Sequence, residues 1–164
     1  MSRATALTLL YNMVDDMTIA NGFNYDWNVH KGGDKFRGVR GQTPAITISF
    51  GAETNVDDRG GVGSWEYIDD ANFTVTGKVC LSGANVPASE VAYEEQLAIS
   101  RALDDIKTRY DSEGYLCANG LSARQLKYLG SDVLDKIDEQ KYTTMRIECN
   151  FNLKYVTQRK LLDK

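Results

Sequence analysis

The chain has little from which to build a metal centre, a disulfide framework or a membrane span. Its 164 residues include one histidine, His30, two prolines and three cysteines. Cys80, Cys117 and Cys149 are odd in number and far apart, which suits free or buried thiols of a reducing compartment rather than a disulfide scaffold. No cysteines or histidines pair at the short spacing of zinc ligands, and this excludes structural zinc. No apolar run approaches the roughly 20 residues that cross a bilayer, and Met1-Ser2-Arg3-Ala4 leads to Asp15-Asp16 without the core of a signal peptide, so synthesis in the cytoplasm and no membrane contact are expected. A dominant charge is missing as well. The 19 Lys plus Arg against 23 Asp plus Glu give a net charge of -4, which excludes nucleic-acid binding by bulk charge and leaves only a local patch.

What is present makes one domain, 1–164, with 42% hydrophobic and 26% charged residues, enough for a sizeable core. Leu7, Leu10, Tyr11, Val14 and Met17 recur at three and four residues and predict an amphipathic helix from Ser2, its cap, to Asn21-Gly22, its stop. Phe23, Tyr25, Trp27 and Val29 then alternate with polar residues, the period of a half-buried strand. Ala45 to Phe50, after Thr43-Pro44, and Ala71 to Leu81 read as further strands, with Gly77 marking a bulge. Ser89 caps a second helix to Asp111 on a face of Ala92, Ile99, Leu103, Ile106 and Tyr110. Ser122 to Leu129 has helical spacing, and Ser131 to Asp138 fits a short helix or a turn. Thr143 to Tyr155 alternates most clearly and reads as a strand long enough to outrun its domain and offer an edge to a neighbour. The expected class is α+β: a mixed or antiparallel sheet flanked by two main helices in the order α-β-β-β-α-β, with a long C-terminal strand and extended loops.

Two glycine-rich stretches carry opposite charge. Residues 31–42 set Lys31, Lys35, Arg37 and Arg40 against Asp34 and read as an exposed basic loop. Residues 51–70 set Glu53, Asp57, Asp58, Glu66, Asp69 and Asp70 against Arg59. Such a stretch exceeds ordinary connections of roughly 4 to 6 residues, and three readings fit it: a functional loop, a segment disordered when free, or a distorted long hairpin. Within it Trp65 and Tyr67 have the character of interface anchors, with local packing as the other reading. Tyr25, Trp27 and Tyr93 read as core or sheet filling.

No catalytic constellation appears. His30 has no Gly-x-Ser-x-Gly elbow to serve and reads as a surface or satisfied histidine. Four Asp-Asp pairs, at 15–16, 57–58, 69–70 and 104–105, read as solvated acids or helix pairs such as Asp105 with Arg109, because adjacent residues point apart. Asp57-Asp58 alone retains a cation option, without the spaced ligands of a calcium loop. Gly60-Gly61-Val62-Gly63 is followed by Ser64-Trp65-Glu66 rather than by Lys-Ser, so it is no phosphate loop. Arg37-Gly38-Val39-Arg40-Gly41 is basic but lacks interleaved aromatics, which favours a solvated or protein-docking loop over phosphate contact. No enzymatic activity, metal or cofactor is expected.

The order of elements adds a resemblance. The amphipathic helix, Tyr25-Asp26-Trp27-Asn28-Val29, the basic glycine loop, Thr43-Pro44-Ala45-Ile46-Thr47-Ile48, Asn72-Phe73-Thr74-Val75-Thr76-Gly77, a helix and a long terminal strand together resemble the tail terminator (tail completion) proteins of long-tailed bacteriophages. The pattern spans most of the chain, and residues 114–140 fit it least. The resemblance implies a virion protein, assembled in the host cytoplasm, that forms a homo-oligomeric ring, usually a hexamer, on the last ring of the tail tube. Such a ring stops tube growth and joins the neck proteins of the head, with genomic DNA passing through its lumen. On that basis Lys31, Lys35, Arg37 and Arg40 are expected to meet acids of a neighbouring subunit, Asp57 and Asp58 among them, with Trp65 and Tyr67 as anchors. Another neck protein, a tail tube protein of the same fold, and a small nucleic-acid-binding module are the alternatives.

Overall fold

The computed structural model describes residues 3–30, 44–59, 66–82, 87–111, 113–139 and 142–158. Within them run α1 (Arg3–Asn12), β1 (Asn28–Val29), β2 (Ala45–Arg59), β3 (Glu66–Ser82), α2 (Val91–Tyr110), α3 (Glu113–Ala118), β4 (Ala123–Glu139) and β5 (Tyr142–Gln158), with a 3-10 turn at Ile19–Asn21. The strands form one five-stranded mixed sheet in the order β1-β2-β3-β5-β4, in which β1 and β2 are parallel and the other pairs antiparallel. This is the α+β class with its long C-terminal strand. A third helix and a further strand stand between α2 and that strand.

Alternation decides which face is covered. Ile46 and Ile48 of β2, Phe73, Val75 and Val79 of β3, and every second residue of β5 from Met145 to Tyr155 are buried on the side where the helices pack. Phe50, Phe73, Phe151 and Tyr128 stand in register across the four long strands, with neighbouring ring centres 6.1, 5.1 and 5.6 Å apart. Tyr110 of α2 rests on this row, 6.1 Å from Phe73 and 5.8 Å from Phe151, and its hydroxyl donates to the Leu10 carbonyl of α1 at 2.9 Å. Two helices and the sheet are thus held at one level. Gly77 admits α2: a Cβ there would lie 2.9 Å from Ile106 Cδ1 and 3.3 Å from Ile147 Cγ1. The strands run through Gly77 without a register shift, so the bulge expected there is absent. The opposite face is polar. Thr74 donates to Asn150 Oδ1 at 2.8 Å, and the Asn152 amide donates to Asn72 Oδ1 at 2.9 Å and to Asp70.

Several elements depart from expectation for identifiable reasons. Helix α1 ends at Asn12 rather than Asn21; Met13, Val14 and Met17 stay buried, but in turns such as Val14 N–H to Tyr11 O (3.0 Å) and Met17 N–H to Val14 O (2.9 Å). Polar side chains compete for the backbone here: Asp26 accepts from Ile19 N–H at 2.8 Å, and Asn21 donates to Asp16 O at 2.9 Å. Gly22 takes φ 90° and ends the separate 3-10 turn rather than α1. Ser2 lies outside the described residues. Residues 23–29 keep a strand's alternation, with Trp27 buried and Asn24, Asp26 and Asn28 exposed, yet they pair only at Asn28 and Val29. Their amides have another acceptor. Asp105 of α2 takes Asn24 N–H (2.9 Å), Asn24 Nδ2 (2.8 Å), Tyr25 N–H (3.2 Å) and Trp27 Nε1 (2.8 Å).

That engagement also replaces the expected Asp105–Arg109 pair. Arg109 bonds the Met13 carbonyl and forms an ion pair of 3.4 Å with Asp16. Helix α2 starts after Glu90 with no side-chain cap, and Ser89 lies in the preceding turn. Its buried face is Ala98, Ala102, Asp105, Ile106 and Tyr110, while Ala92 and Tyr93 are exposed. Residues 123–139, read as a helix and then a short helix or turn, form β4. Register shifts leave Arg124, Leu129 and Leu134 as extra residues, five apart, and this interrupts the alternation and imitates helical spacing. Strand β5 lies between β3 and β4, so the free edge expected of it belongs to β4.

Candidate assembly interface

Of the residues singled out for assembly, Lys31, Lys35, Arg37, Arg40 and Trp65 lie outside the described residues. The described part of the acidic stretch, 51–59 and 66–70, is the distal part of β2 and β3, which pair antiparallel as in a distorted long hairpin. Asp58 pairs with Tyr67 and Asp57 with Ile68, after register shifts between Phe50 and Glu53 and between Asn55 and Asp57. The hairpin therefore brings Asp57, Asp58 and Tyr67 together at one end of the sheet.

The two outer edges of the sheet differ in how their polar groups are satisfied. Along β2, His30 N–H donates to Ile46 O at 2.7 Å, continuing the β1 pairing. The Tyr11 hydroxyl then takes the place of a strand: it accepts from Ile48 N–H at 3.1 Å and donates to Ile48 O at 2.9 Å. Arg3 donates to Phe50 O at 3.3 Å, and its guanidinium sits 5.1 Å from the Phe50 ring centre. Beyond Phe50 no described strand pairs with the outer side of β2. The β4 edge is unpaired by any described strand along its whole length. It presents Leu129 and Leu134, 50% and 40% exposed, at two of its three register shifts. Bulges of this kind blunt an edge against indiscriminate pairing.

Near the open end of β2 lies a group that sequence reading missed. Glu53, Asp69 and Tyr155 sit on the helix-packed face of β2, β3 and β5, because Ala71 pairs with both Glu53 and Leu153 while Asp69 pairs with Tyr155. Asp69 is only 9% exposed and Tyr155 is fully buried. The hydroxyls of Tyr155 and of Thr157, next on the same face, are shielded from solvent, and that of Tyr155 bears on the Glu53 carboxyl. Burial holds the Glu53 carboxyl above its ordinary value; Asp69 adds to the rise, and the nearby Tyr155 hydroxyl and Arg3 oppose it. Burial, with Glu53 and Asp69 alongside, also pushes the Tyr155 phenol up. The first bulge hid this grouping, since the shift between Phe50 and Glu53 puts Glu53 on a face that simple alternation from Ile46, Ile48 and Phe50 does not give it.

An open depression of about 330 Å³ at the α3–β4 turn is lined by Cys117, Gly120, Leu121, Ser122, Ala123 and Arg124, a set without an acid, base and nucleophile in one place. All three cysteines are free, with Cys149 buried and Cys80 and Cys117 exposed. Among the described residues no cluster of three or more His, Cys, Asp or Glu is placed to hold a metal ion, and no helix is long and apolar enough to cross a membrane. No protein-family model matches the chain, and a search of curated proteins found no match.

Proposed function

We propose that this chain is a structural virion protein whose copies form a ring on the head-proximal end of a bacteriophage tail tube, ending tube growth and offering the surface that joins the head. The observation that carries the reading is the pair of unlike edges on one sheet: an acidic β2 end and a β4 edge that begins with Arg124 and Lys127. A contact between unlike surfaces is heterologous, and it generates a ring where its rotation closes and an open filament where it does not. The element order that resembles tail terminators supports the same reading. In it the basic residues Lys31, Lys35, Arg37 and Arg40 meet acids of an adjacent subunit or ring, with Trp65 and Tyr67 as anchors.

The test is electron microscopy of the purified chain, alone and mixed with isolated tail tubes. Pore-bearing rings at one tube end are the expected result. Reversing the charge at Arg37 and Arg40 should abolish ring formation or head joining while the monomer stays folded; normal virions from that mutant refute the role of the basic stretch. Filaments grown from the chain alone would assign it instead to the tail tube.

A further inference from the structure

The basic start of β4 and the acidic end of β2 share a height as well as opposite charge. Reading the register across the sheet, Leu126 of β4 lies level with Leu153, Ala71 and Glu53, and Ala123 lies level with Tyr155, Asp69 and Asn55. Arg124, the exposed extra residue between Ala123 and Gln125, therefore stands on one edge at the level of the Glu53 and Asp69 carboxyls on the other. In a closed ring each copy is carried onto the next by rotation without a rise, so with strands near the ring axis residues of equal height on opposite edges come together. We infer that Arg124 of one copy meets the group formed by Glu53, Asp69, Tyr155 and Thr157 on the β2 end of the next.

The chemistry fits a guanidinium better than a metal ion. Once ionised, the Glu53 and Asp69 carboxylates are acceptors only, the Tyr155 and Thr157 hydroxyls add acceptor lone pairs, and a guanidinium supplies five N–H donors in a planar fork. A divalent cation would find two carboxylates alone, too few for a cage built from protein oxygens. Arg3, the described cation that acts on both Glu53 and Tyr155, also donates to Phe50 O and sits over the Phe50 ring. The site sits beyond the stretch of β2 closed by β1, Tyr11 and Arg3, where no described strand pairs with its outer side.

The inference rests on the ring reading, and the experiment separates the two. Sedimentation velocity and negative-stain imaging would compare the unaltered full chain with Arg124→Glu and Glu53→Arg, each with and without isolated tail tubes. Either variant alone should associate about tenfold more weakly or worse, the usual scale for a close interfacial charge pair. An equimolar mixture of the two should regain association, since in an alternating arrangement every contact again joins opposite charges. Arg124→Gln, at an exposed position, should weaken association without moving the melting temperature, and it keeps the test decisive if Glu53→Arg does not fold. Rings that persist in Arg124→Glu and Arg124→Gln, or a mixture of folded variants that does not recover, overturn this contact and leave the ring reading standing. An unaltered chain that makes no rings at tube ends overturns both.

Discussion

Replacing Asp105 by alanine is the sharpest perturbation of the fold itself. Asp105 is 3% exposed on α2 and accepts from four donors in residues 24–27, at 2.8 to 3.2 Å. All are N–H groups, so the carboxylate is the charged acceptor that holds this segment over the sheet in place of strand pairing. The exposed Asn24 amide can turn to water when the acceptor is lost. The part-buried amides of Asn24 and Tyr25 and the buried Trp27 indole N–H cannot do so without opening the packing. A hydrogen bond to a charged group contributes about 1.5–3 kcal/mol, and bonds sharing one acceptor do not add in full, so the net loss should be about 4 kcal/mol. Out of a total stability of about 5–15 kcal/mol this is a large part, and it should lower the melting temperature by about 8–16 °C. Urea unfolding followed by tryptophan fluorescence measures it. Asp105→Asn should lose nearly as much, because an NH2 group then faces N–H donors. A double-mutant cycle with Trp27→Phe should give a coupling of about 1.5–3 kcal/mol for the indole bond. A loss below about 1 kcal/mol for Asp105→Ala, or no coupling to Trp27, refutes the assignment of Asp105 as the anchor of this segment.

Gly77→Ala should cost about 1–3 kcal/mol, because the new methyl meets Ile106 and Ile147 in a packed interior, and Gly77→Val should cost more; unchanged urea midpoints for both would show that α2 yields freely. Glu53 gives a pH dependence of definite sign. Its raised carboxyl, faced by Asp69 of β3, Tyr155 of β5 and Arg3 of α1, keeps in the folded chain a proton that the unfolded chain has already released. Stability should therefore fall as pH rises from the ordinary glutamate range through the raised value, and level off above it. Glu53→Gln should remove that slope, raising the melting temperature at pH 8 but not at pH 4; a gain at acid pH instead reverses the reasoning. Tyr11→Phe should cost about 1–2 kcal/mol, because Ile48 N–H and C=O lose the hydroxyl that serves both, and hydrogen exchange at the Ile48 amide should accelerate with it.

Legibility in the sequence followed how far each period ran unbroken. The alternation of β5 from Met145 to Tyr155 has no register shift against β3, and both its type and its buried face were readable. β4 carries the same kind of backbone, but extra residues at 124, 129 and 134 bring Leu126, Leu129 and Val133 to helix-like spacing. Residues 51–59 were obscured in the same way, by two shifts in β2. The segment 23–27 failed differently. Its alternation was visible, but whether its amides would pair with a strand or with Asp105 depends on a residue some eighty positions away. The acidic character of the β2 end was plain from composition, whereas the grouping of Glu53 with Asp69 and Tyr155 is a product of register, which alternation alone does not carry.

The treatment of the two edges bears on how such a chain would assemble without aggregating. A long sheet with plain edges is a template for open-ended pairing. Here β1, Tyr11 and Arg3 close the lower part of β2, and the register shifts of β4 recur too often for a flat partner strand to follow its full length. Under the proposed reading, contact between copies is then confined to the open end of β2 and a short part of β4 near Arg124. A contact of that size is weak for two copies alone. Closure changes the balance, because the last subunit of a ring makes two contacts for one loss of translational freedom, and a tube end that holds several subunits side by side raises their effective concentration further. A chain built this way should stay dispersed in dilute solution and form a closed ring only where a template gathers its copies, which is the behaviour a terminator of tube growth requires.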